Sequence, residues 1–175
     1  MDEEDRESCR RYLERSLWIG RCDPDERERR TAAKEELIQW ILGRLDEPVD
    51  LDGTTDTVPA ESERFCSYFW PIVRECVLVR DDYTCAVCGV KGWDRRSLVW
   101  SAQMDVHHIR ERQDGGDHSP RNMVTLCNAC HKRLHRRHLA YKDFRQEVTL
   151  DDFLDDVNGF ENSSESKEVE YGNEE

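Results

Sequence analysis

At 175 residues the chain is long enough for one compact domain with appendages and too short for two large ones. No apolar run approaches the ~18 residues that cross a bilayer, and "MDEEDRESCR" lacks the basic-then-apolar pattern of a secretory signal; an intracellular, cytoplasmic protein with no membrane partner is expected. The formal charge of −13 argues against a nucleic-acid partner only until it is divided along the chain: residues 1–84 carry −9 and 143–175 carry −10, whereas 85–142 carry +6.

Arg outnumbers Lys 21 to 5 beside 39 carboxylates. Such a surface fits a salty cytoplasm, where a Debye length of ~3 Å at 1 M silences self-repulsion. It fits equally well flanks that solubilise the chain or dock a basic protein partner, and both readings stand.

In chain order, "RRYLERSLWIG" predicts a short helix with Leu13 and Leu17 on one face. "CDPDERERRTAAKEELIQWILGRLDEP" predicts a second, with Asp23 as N-cap, Pro24 at the first helical position and Glu26 completing a capping box. Leu37, Trp40, Ile41 and Leu45 form its apolar stripe, and Pro48 ends it. The pair either packs on the core or forms a separate DNA-targeting or partner-binding element. A polar stretch near residues 47–63 is the linker, which gives a helical N-terminal region over 1–64.

Apolar periodicity resumes in "RFCSYFWPIVRECVLVRDD", with Pro71 expected as the first residue of a helix running to about Arg80. After the first cysteines, "SLVWSAQMDVHHI" and "MVTLC" have strand character, "DGGD" marks a turn, and "NACHKRLHRRHLAYKDF" predicts one basic helix. The order helix, knuckle, hairpin, helix makes an α+β domain over 65–142. In the acidic C-terminal tail, 143–175, "TLDDFLDDV" predicts a short helix capped by Thr149, and the remainder has too few apolar groups to offset its ordering entropy.

Eight cysteines without an export signal favour metal over disulfides. Cys85 and Cys88 form one CxxC and Cys127 and Cys130 another, four thiolates that suit a tetrahedral structural zinc. The 38 residues between the pairs leave room for a hairpin that departs from the knuckle and returns. Cys9, Cys22, Cys66 and Cys76 lack this spacing and read as buried or free thiols. A closed four-thiolate site has no open coordination position, so chemistry needs a second site.

Histidines supply it. His131 and His135, four apart, project from one face of the basic helix, and a hairpin folded against that helix brings His107 as the third nitrogen. Three ligands leave positions for phosphate and water. His108 faces away from His107 on a strand and can accept a proton at neutral pH, with the Asn122 amide oxygen expected to orient its ring. His118 and His138 read as surface residues. Arg110, Arg112, Arg121, Lys132, Arg133, Arg136 and Arg137 are the expected phosphate contacts.

"DVHHI", the "GG" turn, "RNMVTLCNACH" and "RLH" together resemble the HNH endonuclease family. The initials match His108, Asn122 and His131. Thirteen residues between His108 and Asn122, eight between Asn122 and His131 and three between His131 and His135 are similar to the colicin DNase branch, and the CxxC pairs resemble the zinc-stabilised branch. The resemblance, over roughly 70–138, implies a ββα-metal fold that grips DNA and cleaves a phosphodiester with one divalent cation, leaving a 5′-phosphate and a 3′-hydroxyl.

By that resemblance His108 is the general base, Asn122 its orienter, and His107, His131 and His135 the ligands of the catalytic cation. Asp105 matches an acidic position that buttresses a histidine. An all-imidazole set suits Zn²⁺, Ni²⁺ or Co²⁺, while water could complete a Mg²⁺ shell and carboxylate-bearing relatives favour Mg²⁺ or Mn²⁺. The alternative function is a non-catalytic zinc module that binds nucleic acid or protein. A single site that cuts both strands needs a homodimer or successive nicks.

Overall fold

The computed structural model describes residues 1–52, 56, 59, 66–94 and 99–147. Two aspartates start the first two helices. Asp2 accepts from the backbone N–H of Asp5 at 2.8 Å and begins α1 (Glu3–Ser16), while Asp23 accepts from that of Glu26 at 2.9 Å and begins α2 (Pro24–Asp46). The first helix therefore starts earlier than its apolar pair indicated, because Asp2 and the acidic first turn Glu3, Glu4 and Asp5 favour a helix N-terminus. α2 stops at Asp46, two residues short of Pro48.

α1 buries Cys9 and Leu13, with Leu17 at its C-cap, and α2 buries Leu37, Ile38, Ile41, Leu42 and Leu45. That face is wider than the expected stripe, and Trp40 sits at its edge, half-buried, with the Arg44 guanidinium 5.8 Å from its ring. Both helices pack on α3 (Cys66–Arg80), which buries Phe69, Ile72, Val73, Cys76 and Val77. Pro71 lies inside α3 rather than at its start. The missing N–H costs the helix a hydrogen bond near its N-terminus, where tertiary packing outweighs the loss.

Next come β1 (Trp93–Asp94) and β2 (Val99–Trp100), paired antiparallel, and then β3 (Met104–His108) and β4 (Met123–Cys127), also antiparallel, with His107 opposite Val124 and His108 opposite Met123. α4 (Asn128–Arg137) and α5 (Tyr141–Glu147) follow. The predicted single basic helix is thus two. His138 takes a left-handed conformation (φ 51°), which ends α4. The predicted helix at "TLDDFLDDV" and the tail beyond it lie outside the described residues.

α3 and α4 both pack on the β3–β4 hairpin, and the ring of His108 reaches α3 while that of His107 reaches α4. The fold is α+β, a ββα unit preceded by helices, and buried apolar groups from Cys9 to Phe144 join one core cluster. Arg80 at the end of α3 fixes the hairpin: it pairs with Asp81 at 2.7 Å and donates to the carbonyls of Pro120 and Met123, and Asp81 accepts from the N–H of Thr125. This half-buried ion pair has its donors and acceptors satisfied, the condition under which partial burial of charge is tolerated.

The loop between β3 and β4 turns at Gly115 (φ 83°) and at Gly116, where an added Cβ would lie 1.9 Å from the carbonyl oxygen of Arg110. Backbone cannot yield at that distance, so Gly116→Ala is expected to destabilise by roughly 1–3 kcal/mol. Gly43, on α2 with nothing within 4 Å of its Cβ direction, should gain about 0.5–1 kcal/mol as alanine. Thermal melts of the two variants check the contrast, and equal effects would contradict the steric account.

Candidate active site

The thiols of Cys85, Cys88, Cys127 and Cys130 lie within 4.8 Å of one another. Cys85 and Cys88 sit in a tight turn in which the N–H of Gly89 donates to the carbonyl of Cys85 and Gly89 adopts φ 73°. Cys127 is the N-cap of α4, its sulfur accepting from the N–H of Cys130. The knuckle is tied to β4 by Ala86 N–H donating to Thr125 at 2.9 Å.

So close together, the thiols cannot ionise independently. The S–H groups of Cys127 and Cys130 pull Cys85 far below its ordinary value, while Cys130, donating its own S–H to Cys127 and Cys85, is pushed far up. Burial raises Cys88 to about 11. A divalent cation relieves this conflict by taking all four as thiolates, so the residues fit a closed tetrahedral zinc site.

A second cluster, His107, His131 and His135, has its ring nitrogens within 4.8 Å of one another. His107 arrives from β3 with its ring 5.4 Å from that of His131 and 5.3 Å from that of His135, and the other two come from α4. Asp105, also on β3, accepts from His131 Nδ1 at 3.3 Å and from the Asn128 amide at 3.3 Å. The carboxylate fixes the proton of His131 on Nδ1, so its Nε2 lone pair faces Nε2 of His135, 3.0 Å away. Two imidazole nitrogens that close require a shared proton or a cation. Glu111 stands 3.9 Å from Nδ1 of His135. The donor set fits one divalent cation with coordination positions to spare.

Burial lowers His107 to about 3, helped by His131 and His135, so its nitrogen stays neutral as a ligand must. His108 is lowered to about 4 by burial, then by His118 and Arg112. Its ring stacks on Trp70 of α3, centroids 4.6 Å apart at 24°, and its Nε2 lies 2.9 Å from Nδ1 of His118. Despite facing the opposite way along β3, His108 shares with His107, Glu111, Arg112, His131 and His135 a cleft of about 260 Å³. A larger cleft of about 620 Å³ opens on the other side of His107 and His135, over Tyr141 and Lys142.

The expected bond between the Asn122 amide oxygen and the His108 ring is not what the structure has. That oxygen accepts from the N–H of Arg110 at 2.8 Å, and the amide nitrogen donates to the carbonyls of Arg110 and Asp117, each at 3.0 Å. All of the buried side chain serves to clasp the loop, since backbone groups cut off from water must be paired. His118 corrects another expectation. It is half-buried against His108, Trp70 and Phe69 rather than at the surface, whereas His138 is exposed.

The basic residues divide. Arg110, Arg112, Lys132, Arg136 and Arg137 are exposed, with Arg110 and Arg112 held by the carbonyls of Asp114 and Gly116. Arg121 instead pairs with Glu47 at 3.1 Å and lies 3.8 Å from Asp56. Arg133 is buried, because it follows Cys130 by three positions and precedes Leu134 on the inward face of α4. These two depart from the expected phosphate surface. Sequence reasoning missed Trp70 and His118; the "DGGD" turn signalled a reversal that would return residue 118 to the strand, but nothing local signalled Trp70.

Cys127→Ser keeps an acceptor at the N-cap of α4 and removes a metal ligand. It should lose bound zinc and cooperative unfolding together, measured by metal analysis and circular dichroism; a variant that retains both would show that the thiols are not ligands. A pH effect follows from the histidines. The unfolded chain takes up protons near 6.5, whereas folded His107 and His108 resist until about 3 and about 4. Their contribution is thus complete above 6.5 and is lost as pH falls toward 4. The melting temperature should drop from about pH 7 to about pH 5, and a flat profile would contradict this.

Residues 85–137 match the family model described as HNH endonuclease. A search of curated proteins and a search of solved structures found no match to the chain. The match spans both thiol pairs and all three clustered imidazoles, and begins after α3. With its β3–β4 hairpin, the following helix and this donor set, the segment 85–137 is similar to the HNH endonuclease family, whose model it matches.

Proposed function

We propose that this protein is a metal-dependent DNA endonuclease, with the nuclease unit at 65–142, the helices of 1–64 packed on it and 143–175 as an acidic tail. The observation that carries the reading is the single cleft shared by His108 and the three clustered imidazoles. A general base and a cation site must face one volume if both are to act on one phosphodiester.

His108 accepts the proton of the attacking water at a ring nitrogen. Its low basicity keeps it neutral, and therefore able to accept, at physiological pH. His107, His131 and His135 hold the cation, with Asp105 setting the tautomer of His131. When bound, the cation stabilises the charge that develops on the phosphate and on the leaving 3′ oxygen. Asn122 keeps the loop closed so that Arg112 stays at the rim of the cleft. Mg²⁺, Mn²⁺, Ni²⁺ and Zn²⁺ are the candidate cations, the nitrogen set favouring the last two, and the thiol cluster takes a structural zinc.

The exposed set Arg110, Arg112, Lys132, Arg136 and Arg137 contacts DNA through phosphates, a sequence-independent mode that weakens with salt. The substrate is intracellular DNA, and the acidic flanks repel it or dock a basic protein. No described helix is long and apolar enough to cross a membrane. A homodimer would cut both strands at once, whereas a monomer would nick successively.

Supercoiled plasmid, incubated with each of the four cations at low and high salt, tests the reading. The protein should nick or linearise it, and His108→Ala should lose ~10²-fold or more in rate while keeping its zinc. Normal cleavage by the variant would remove the base role. A zinc-loaded wild-type protein that cuts nothing under any condition would be a non-catalytic zinc module.

A further inference from the structure

The ring of His108 needs a group that fixes its orientation and its tautomer if one nitrogen is to accept a proton. Asn122 does not serve, because both ends of its amide are taken by the loop backbone. Only one hydrogen-bonding contact to the His108 ring occurs among the described residues, 2.9 Å from Nε2 to Nδ1 of His118. Between two neutral imidazoles, one nitrogen of such a pair donates and the other accepts. Were His118 the donor, the proton of His108 would sit on Nδ1 and its only lone pair would be occupied. Were His118 the acceptor, Nδ1 of His108 would be left with a free lone pair.

We infer that His118 is the positioning residue of the catalytic base, accepting the Nε2–H of His108 and so presenting Nδ1 of His108 as the proton acceptor, with Trp70 as the wall that holds the ring in plane. This inference rests on the nuclease reading above.

The surroundings of His118 suit that task. Its two chain neighbours are buried and bound: Asp117 accepts from the N–H groups of Ser119 at 2.8 Å and Asp56 at 2.6 Å, its carbonyl accepts from Asn122, and the Ser119 hydroxyl donates to Asp56 at 2.6 Å. The backbone that carries His118 is thereby set before substrate arrives, and preorganisation of this kind is what a positioning group requires.

The three rings also close on one another. Trp70 lies 4.6 Å from His108 and 5.4 Å from His118, the two imidazoles are 5.1 Å apart, and Phe69 backs His118 at 6.1 Å. Both aromatic residues sit on α3, which the family match does not include. The helical part of the chain thus contributes to the site by walling the base rather than only by supporting the fold.

The test compares His118→Ala and His118→Asn, each in the zinc-loaded full chain, by plasmid cleavage and by nitrogen-15 spectra of the histidine rings. Asn can place a side-chain oxygen where Nδ1 stood. His118→Ala should lower kcat by about 10-fold or more with KM for plasmid unchanged, and His118→Asn should recover most of the loss. The wild-type spectrum should show His108 protonated at Nε2, and His118→Ala should turn it into a mixture of tautomers.

An unaltered kcat in His118→Ala, an Asn variant no better than Ala, or a wild-type His108 protonated at Nδ1 would each overturn the inference. Should His118→Ala not fold, the wild-type tautomer and the Asn variant still decide. The levels separate cleanly. A wild-type protein that cuts nothing ends the nuclease reading itself, normal cleavage by His108→Ala ends the base role, and an inactive His108→Ala beside a fully active His118→Ala ends only the positioning role.

Discussion

Four sulfur atoms within 4.8 Å of one another set the geometry on which the rest depends. The first pair lies just after α3 and the second spans the junction of β4 and α4, so closing the cluster fixes the helix start relative to the hairpin. Thiols this close cannot all ionise unaided, and a divalent cation bound there would hold all four as thiolates. Taken alone, a ββα unit of this size would bury little apolar surface, and here it shares one core cluster with the preceding helices. A metal held by the four sulfurs would add to what the core supplies, and the imidazoles of α4 would share the position it fixes.

From that clamp the site follows by strand geometry. Adjacent residues on β3 point to opposite faces, so His107 meets His131 and His135 while His108 meets Trp70 and His118. One imidazole, His107, kept neutral by burial, joins the imidazole cluster, and the other lies in an aromatic slot, yet both line one cleft. The division keeps the clustered imidazoles and the aromatic-bound imidazole on separate faces of one strand. Asp105, on the same face as His107, accepts a hydrogen bond from Nδ1 of His131.

The N-terminal helices connect to this site through α3. They cover the side of α3 that carries Cys76 and Val73, and α3 in turn presents Trp70 and Phe69 to the imidazoles and Arg80 to the hairpin. Asp56 and Glu47 reach the hairpin loop through Arg121 and Ser119. Acidic residues that look remote in the sequence are thus part of the frame around the cleft, and Arg121 is committed to them.

What the sequence determined by itself was local or periodic. The caps at Asp23 and Glu26, the two CxxC pairs, the adjacent histidines of β3 and the four-residue spacing of His131 and His135 each follow from a few neighbouring positions, because helix and strand periods are fixed by the backbone. Arg133, expected from its charge as a phosphate contact, is buried instead, because it shares a face of α4 with Cys130 and Leu134. Tertiary structure alone decided which groups from distant segments meet: that Asn122 clasps the loop instead of an imidazole, that His118 folds back on His108, and that Trp70 arrives from α3 to stack there. It also decided that α3 continues through Pro71 and that α4 breaks at His138. Contacts of that kind depend on how the clamp and the packed helices orient whole elements, a property that no window of adjacent residues contains.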